Sequence, residues 1–245
     1  MIANMPDFFS SSQCREITSI SKIKGFEKAS VRSYSGSTYF NPTHRGGEVC
    51  FLKQSDLPDD LYSHIKNNTD KLNKDHFEAN IETFDMQVAR YNAGEQGFGW
   101  HSDDPLYPDG DSIWSGRKLT LTIELSESQY YEGGLLEIDP TLKRYDDITP
   151  VLFNNPIQED ENTLVINVPY MIPGASVEEL LELSKLYQFD KKSEGESNFV
   201  SSDYRSSKKQ GSCLIFPSFY NHRVTPVTQG ERYSLTIWCK GPKWR

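Results

Sequence analysis

The sequence predicts a mainly β fold with flanking helices (α+β), in which short antiparallel strands form a jelly-roll or barrel. Residues 117–125 alternate strictly between apolar and polar side chains, as in a half-buried antiparallel strand. Further strand-like runs, divided by Gly, Pro and Asn, fill the C-terminal two-thirds of the chain, which is typical of jelly-rolls and barrels. The clearest helical spacing lies before residue 80.

Two amphipathic helices are expected in that N-terminal region. The first ends near Lys24, with Ser11 or Ser12 as its cap, and its apolar face is formed by Ile17, Ile20 and Ile23. The second covers Leu57 to Phe77. The region also holds three histidines, which we expect to be ordinary surface or core residues: His44, His64 and His76.

Length and composition favour one domain over residues 1–245, with helical support in 1–80 and a β core in 81–245. The net charge of −9 argues against a nucleic-acid partner, because phosphate binding needs a basic surface. The four cysteines show no CxxC spacing, so neither a zinc site nor a disulfide framework is indicated. No apolar run has the length of a membrane span, and the start of the chain does not resemble a signal peptide. We therefore expect a cytoplasmic protein without a membrane partner.

An insertion at about 139–210 interrupts the strand pattern. A strand is expected within 164–168, and a helix begins at the capping-box residues 176–179 and runs to about Phe189. Residues 190–207 are polar and rich in Ser and Lys. The insertion is either a lid over a site or a tolerated surface addition, and the sequence leaves both open.

The segment Gly99–Pro105 contains a candidate metal site. His101 and Asp103 are two residues apart, so in an extended strand both side chains point to the same face. Two histidines and one carboxylate with open coordination positions suit Fe(II) oxygen chemistry. Alternatively, the segment is a polar loop in which Asp104 and Pro105 begin a turn.

A second candidate site lies near the C-terminus, at His222 and Arg232. We expect a hairpin whose three-residue loop, 228–230, ends in a left-handed Gly230. His222 then faces Thr236, and Arg232 lies about 13 Å along the strand, at about 3.3 Å per residue. A five-carbon diacid held by a metal at one end and by arginine at the other spans that gap.

Several segments around these sites follow one another in a characteristic order: Met5–Phe9 with Cys14, Gln87–Gly94, His101–Asp103, Arg117–Thr120, Tyr131–Gly134, Phe216–Ser218 and Arg232–Leu235. In this order they resemble the Fe(II)- and 2-oxoglutarate-dependent dioxygenases, in the prolyl 4-hydroxylase-like branch that includes the PKHD-type hydroxylases. Two features depart from the family. The insertion is longer than usual, and Leu136 stands where prolyl 4-hydroxylases often have Thr.

The resemblance implies a double-stranded β-helix core and a set of site residues. It assigns Fe(II) binding to His101, Asp103 and His222, and the distal carboxylate of 2-oxoglutarate to Arg232. Three aromatic residues complete the implied site: Tyr91 and Trp238 at the cosubstrate, and Phe98 at the substrate. For these three, core packing is the alternative.

The implied reaction is hydroxylation of an aliphatic C–H on a peptidyl or protein side chain, with proline as the first candidate. The reaction converts 2-oxoglutarate and O2 to succinate and CO2, with ascorbate as a candidate reductant. Asp103 stands where related halogenases have Gly or Ala, which favours hydroxylation.

Three alternatives remain open. The first is a hydroxylase of a free amino acid or small metabolite. The second, a nucleic-acid demethylase, normally has another arginine six residues after the first, where this chain has Trp238. The third is a non-catalytic, cupin-like binding protein.

Overall fold

The computed structural model describes residues 2–32, 38–103, 116–139, 151–152, 167–168 and 206–242. Of the expected strand within 164–168, only Asn167–Val168 lies in these ranges, and it pairs with Val151–Leu152. The expected helix from 176 to Phe189 and residues 190–205 lie outside them.

The described elements are α1 (Ser11–Lys24), α2 (Asp59–His76), and the strands β1 (Ala3–Met5), β2 (Glu27–Lys28), β3 (Val31–Arg32), β4 (Thr38–Tyr39), β5 (Glu48–Leu52), β6 (Thr83–Asn92), β7 (Phe98–His101), β8 (Arg117–Glu124), β9 (Tyr131–Gly133), β10 (Leu136–Asp139), β11 (Val151–Leu152), β12 (Asn167–Val168), β13 (Cys213–Pro217), β14 (Asn221–Val224) and β15 (Val227–Lys240). No helix among the described residues combines the length and apolar character needed to cross a membrane.

Two antiparallel sheets form the core, and they confirm the predicted jelly-roll class. The major sheet runs β1-β13-β8-β15-β6-β5-β2, with β9 on the early part of β15, and the minor sheet runs β10-β14-β7. Both sheets belong to one compact unit, formed by residues 1–31, 40–140 and 200–245. A second unit takes in 32–39 and 141–199, and its described strands include β4 and the pair β11 and β12. The expectation of a single domain stays a prediction.

The main hydrophobic core forms on one face of the major sheet. The alternating residues predicted for β8 are all buried there, together with apolar residues of both helices: Leu119, Leu121, Ile123, Cys14, Ile17, Leu61 and Ile65. The strand is not half-buried, as its pattern suggested, because Lys118, Thr120 and Glu124 on its other face are also buried. The polar face of β8 therefore lies inside the protein.

The two N-terminal helices lie where the sequence places them, with differences at the first. Its cap is Ser10, one residue before the predicted serines, and Ser10 and Gln13 form a reciprocal capping box. Ile23 is 88% exposed, because the buried face contains Cys14, Ile17 and Ser21 instead. Helix α2 buries Leu61, Ile65, Thr69 and Leu72, at the predicted helical spacing.

The predicted hairpin that joins His222 to Arg232 is wrong. Strand β14 pairs with β10 and β7 in the minor sheet, whereas β15 begins at Val227 and pairs within the major sheet. Residues 228–230, the expected loop, lie inside β15, where the register against β9 shifts. Gly230 does have a positive φ, 72°, and a Cβ there would lie 1.9 Å from the Tyr130 carbonyl oxygen. His222 and Arg232 therefore lie on different sheets.

Candidate active site

The structure brings together the three predicted metal ligands. The pairing of β7 with β14 places His101 directly opposite His222, and Asp103 follows β7 by two residues. The Asp103 carboxylate lies 3.8 Å from His101 Nε2 and 3.4 Å from His222 Nε2. The donor atoms of these three side chains all lie within 4.8 Å of one another, close enough to hold one metal ion.

Both imidazoles are oriented by backbone carbonyls. Nδ1 of His101 lies 2.8 Å from the Gly99 oxygen, and Nδ1 of His222 lies 3.0 Å from the Tyr220 oxygen. A carbonyl oxygen only accepts, so each Nδ1 carries the proton and each Nε2 presents a lone pair to the cluster. Two neutral nitrogen donors and one carboxylate form a donor set that fits Fe(II).

Two hydroxyl residues, Thr120 and Ser218, hold the Asp103 carboxylate. Thr120 Oγ1 donates to Asp103 Oδ2 at 2.7 Å and lies 2.9 Å from Ser218 Oγ. The backbone N–H of Asp103 donates to the Ser218 carbonyl at 2.9 Å. Because the Thr120 hydroxyl donates its proton to Asp103, the Ser218 hydroxyl is the donor in its hydrogen bond with Thr120 Oγ1. Sequence reasoning assigned no role to either residue, although both belong to segments that carried the family resemblance.

The electrostatics favour an ionised Asp103 carboxylate beside a neutral His101 imidazole. Burial alone would raise the pKa of Asp103, but His222, His101 and Arg117 act against it and bring the pKa to about 2. Burial, followed by the neighbouring His222, holds the pKa of His101 well below its ordinary value. These are the protonation states that metal binding requires.

Arg232 lies in the interior and is held by an acidic partner that the sequence did not reveal. Its side chain is 1% exposed, and in the register of β15 with β6 it lies opposite Tyr91. Arg232 Nε donates to Glu124 Oε2 at 2.9 Å, and Nη1 donates to Ser234 Oγ at 3.3 Å. Tyr131, from β9, lies beside both members of the ion pair.

Gly134 makes room for the Arg232 side chain. Its φ is 60°, and a Cβ at this position would lie 2.6 Å from Arg232 Cδ and 3.0 Å from Val227 Cγ2. Any side chain would therefore collide with Arg232 as well as strain the backbone. These contacts explain why the second glycine of the Tyr-Glu-Gly-Gly segment carries no side chain.

The two aromatic residues predicted beside the cosubstrate both face the interior. Tyr91 is 4% exposed, and burial raises its pKa against the opposing effect of Arg45 and Arg232. Trp238 lies under Arg117, whose guanidinium carbon is 3.8 Å from the ring centroid. The indole Nε1 of Trp238 is buried without a hydrogen-bond partner in the described part of the chain, so a donor is free there.

Phe98 packs between the metal cluster and a second arginine. Its ring stacks on His101 with centroids 3.6 Å apart, and the Arg45 guanidinium carbon lies 4.3 Å from its centroid. Arg45 Nη2 donates to Gln87 Oε1 at 2.8 Å. Arg45 Nε is buried and finds no partner among the described residues. Sequence reasoning missed Arg45, although the two glycines that follow it signal a tight approach: a Cβ on Gly46 would lie 2.0 Å from the Gln96 oxygen.

Two other arginines, on β6 and β8, are engaged by neighbouring side chains. Arg90 forms an ion pair with Glu48 and lies over the Phe26 ring, while Arg117 lies 3.9 Å from Asp103 and over Trp238. The three histidines expected to be ordinary are not in the metal group, although His44 packs edge-on against Phe98.

Comparison with known proteins agrees with this arrangement. Residues 86–240 match the family model of the 2OG-Fe(II) oxygenase superfamily. No match was found among curated protein sequences.

Three similar solved structures are prolyl hydroxylases of low sequence identity. The chain is similar to a prolyl-4-hydroxylase of Pseudomonas putida, with 14% identity, a TM-score of 0.57, and coverage of 98% of this chain and 92% of that one. It is also similar to a collagen prolyl hydroxylase of Paramecium bursaria Chlorella virus-1, solved with 2OG, with 16% identity, a TM-score of 0.56, and coverage of 98% and 96%. A third is a prolyl hydroxylase of Trichoplax adhaerens in complex with a hypoxia inducible factor peptide fragment, with 15% identity, a TM-score of 0.58, and coverage of 98% and 83%. At these identities the likeness shows a shared fold.

Proposed function

The chain belongs to the 2OG-Fe(II) oxygenase superfamily, and from this premise we propose that it hydroxylates an aliphatic C–H of a peptidyl or protein side chain, with proline as the first candidate. The observation that carries the proposal is the His101–Asp103–His222 cluster, since its donor set fits Fe(II) and leaves coordination positions open. Bound Fe(II) supplies the activation of O2 that is coupled to conversion of 2-oxoglutarate to succinate and CO2.

The residues around the cluster have distinct tasks in this proposal. His101 and His222 would hold the metal through Nε2, and Asp103 through its carboxylate, which Thr120 keeps in place. Arg232 would bind the distal carboxylate of 2-oxoglutarate by charge-assisted hydrogen bonds.

The walls of the pocket come from aromatic side chains. Tyr91 and Trp238 would line the cosubstrate, and both are less than one-tenth exposed, so water is largely excluded from this side. Phe98 would limit the substrate side. Ascorbate is the candidate reductant that would keep bound iron ferrous.

The peptidyl substrate is supported by analogy. The relative from Trichoplax adhaerens is a prolyl hydroxylase in complex with a peptide fragment, and the viral relative is a collagen prolyl hydroxylase. Asp103 supports hydroxylation over halogenation, because it fills the position that a halogenase leaves for chloride.

One observation favours a second candidate, a hydroxylase of a free amino acid or other small carboxylate. Arg45 is a cation beside Phe98 and His101, with a buried, unpartnered Nε within the described residues. A small substrate with its own carboxylate would satisfy that donor. Neither rival from the sequence, a nucleic-acid demethylase or a cupin-like binding protein, has a comparable observation in its favour.

The experiment that tests the proposal has two stages. The purified protein is first incubated with Fe(II), 2-oxoglutarate and ascorbate, and succinate is measured without any substrate. Peptides, proteins and free amino acids are then screened by mass spectrometry for the gain of one oxygen atom, under isotopically labelled O2. We expect labelled oxygen in both succinate and product.

Each stage has its own refuting outcome. Absence of any succinate would overturn the oxygenase assignment. A chlorinated product in chloride buffer, or a product that has only lost two hydrogens, would refute hydroxylation. Product from free amino acids alone would replace the peptidyl candidate with the second one.

A further inference from the structure

The ion pair between Arg232 and Glu124 creates a problem for any carboxylate ligand at this arginine. Both side chains are buried, at 1% and 3% exposure, so solvent screens their charges little. Their charges cancel before any ligand arrives. A carboxylate that binds Arg232 would therefore bring a second negative charge close to a guanidinium whose charge Glu124 already compensates.

Two carboxylates that share one site rarely remain ionised together. Arg232 cannot relieve the repulsion, since a guanidinium does not lose its proton under ordinary conditions. Glu124 can, by taking a proton from solvent. A protonated Glu124 would no longer repel the ligand, and its O–H could donate a hydrogen bond to the ligand carboxylate while the other oxygen still accepts from Arg232 Nε.

We propose that Glu124 couples cosubstrate binding to proton uptake: the 2-oxoglutarate carboxylate binds Arg232 together with one proton, which Glu124 accepts. This inference rests on the proposed function, because it assumes that 2-oxoglutarate binds at Arg232. No bond to carbon forms or breaks. One proton leaves solvent and becomes bound to a Glu124 oxygen.

The surroundings of Glu124 make it the group that titrates. Burial raises its pKa, and Arg232 is the cation that acts in the opposite direction, with the Ser126 N–H 3.1 Å from Oε1. The other titratable groups that face the pair are phenols and a thiol: Tyr131 of β9, Tyr91 of β6 beside Arg232, and Cys14 of α1. Burial raises the pKa of each of these three, so they stay neutral near pH 7.

The sign of the pH dependence follows from the direction of proton transfer. Where Glu124 is ionised in the free protein and protonated in the complex, each 2-oxoglutarate takes up one proton. The dissociation constant then rises about tenfold for each pH unit, and the slope of log Kd against pH is about +1. Acid conditions therefore favour cosubstrate binding until Glu124 is protonated in the free protein as well.

The test measures 2-oxoglutarate binding by calorimetry on the full chain loaded with Mn(II), without O2. Titrations in buffers of different ionisation enthalpy, between about pH 6 and pH 8.5, give the number of protons taken up. We expect about one proton in the wild type over part of that range. In Glu124→Gln the amide keeps the acceptor for Arg232 and loses the charge, so we expect proton uptake to vanish and binding near pH 8 to strengthen about tenfold or more.

A matched control is available in the same protein. Glu137 is also 3% exposed, and it accepts from Arg223 Nε at 2.8 Å, in the minor sheet. Glu137→Gln makes the same chemical change to a similar ion pair, and we expect the wild-type proton uptake and pH slope there. Loss of the slope in Glu137→Gln would mean that the effect is not specific to Glu124.

The outcomes separate this inference from the proposed function. If the wild type binds 2-oxoglutarate without proton uptake, the inference fails and the function stands. If Glu124→Gln binds more weakly than the wild type at every pH, Glu124 only orients Arg232, and proton coupling is again excluded. If neither protein binds 2-oxoglutarate at any pH, the proposed function itself fails. The wild-type titration decides the question even if the variant does not fold.

Discussion

Replacement of Gly134 by alanine tests whether the position of Arg232 controls cosubstrate binding. The added Cβ would lie 2.6 Å from Arg232 Cδ, and the contact must lengthen to at least 3.4 Å to become ordinary. The arginine side chain must therefore move by about 0.8 Å or more, the difference between those two distances. Loss of one charge-assisted hydrogen bond costs about 1.5–3 kcal/mol, so 2-oxoglutarate should bind about 10- to 100-fold more weakly.

Gly94→Ala is the matched control for this variant. Gly94 also has a positive φ, 83°, but a Cβ there would meet no atom within 4 Å. Both variants should lose about 1–2 kcal/mol of unfolding free energy from backbone strain, which lowers Tm by a few degrees in a chain of this size. Only Gly134→Ala should also lose 2-oxoglutarate affinity.

Two measurements on the Mn(II)-loaded proteins distinguish the effects. Thermal unfolding reports the common backbone cost, and calorimetric titration with 2-oxoglutarate reports the position of Arg232. Equal dissociation constants in the two variants would show that Arg232 is not the anchor, or that it reaches the ligand equally well from a shifted position. A wild-type affinity in Gly134→Ala would exclude the steric role assigned to this glycine.

The remaining predictions concern the metal cluster and the insertion. His222→Ala should abolish Mn(II) binding and succinate production, whereas His76→Ala, at an exposed position outside the cluster, should retain both; equal metal binding in the two would refute the cluster. Thr120→Val removes the hydrogen bond to the Asp103 carboxylate and should weaken Mn(II) binding about 10- to 100-fold. Thr122→Val, on the same strand, should leave Mn(II) binding unchanged. A Mn(II) titration followed by electron paramagnetic resonance compares the two variants. Deletion of residues 190–205 should spare substrate-free succinate production and weaken product formation, as a lid would require; unchanged product formation would leave the insertion without a role in the reaction.

The parts of the site that could be predicted depend on spacing within one segment. His101 and Asp103 are two residues apart, and an extended strand places such side chains on one face whatever the rest of the fold does. Helix α2 was predictable for the same reason, since its apolar residues recur at helical spacing. Local periodicity is a property of the sequence itself.

Strand pairing is different, because it depends on residues far apart in the chain. Between β14 and β15 only Thr225 and Pro226 intervene, and two β-rich runs so close together are typical of a hairpin. The chain instead changes sheets at that point. His222 pairs with His101, 121 positions earlier, and Arg232 pairs with Tyr91, 141 positions earlier. No local pattern identifies those partners. The expected distance from His222 to Arg232 was therefore based on a hairpin register that the structure does not contain.

Two of the missed residues, Glu124 and Thr120, share a physical cause. Glu124 occupies a polar position in the alternating pattern of β8, and a polar face of a strand usually indicates solvent. In this strand the polar face lies inside the protein, where Glu124 meets Arg232 and Thr120 meets Asp103. Period-two alternation separates the two faces of a strand, but it does not say whether the polar face meets water or an enclosed site. An enclosed polar face must find partners, and in this protein those partners are a proposed metal ligand and a proposed cosubstrate anchor. The alternating pattern did not show that Glu124 is enclosed. Its enclosure is also what makes Glu124 a candidate for controlling the site, because a buried carboxylate responds to each charge that enters.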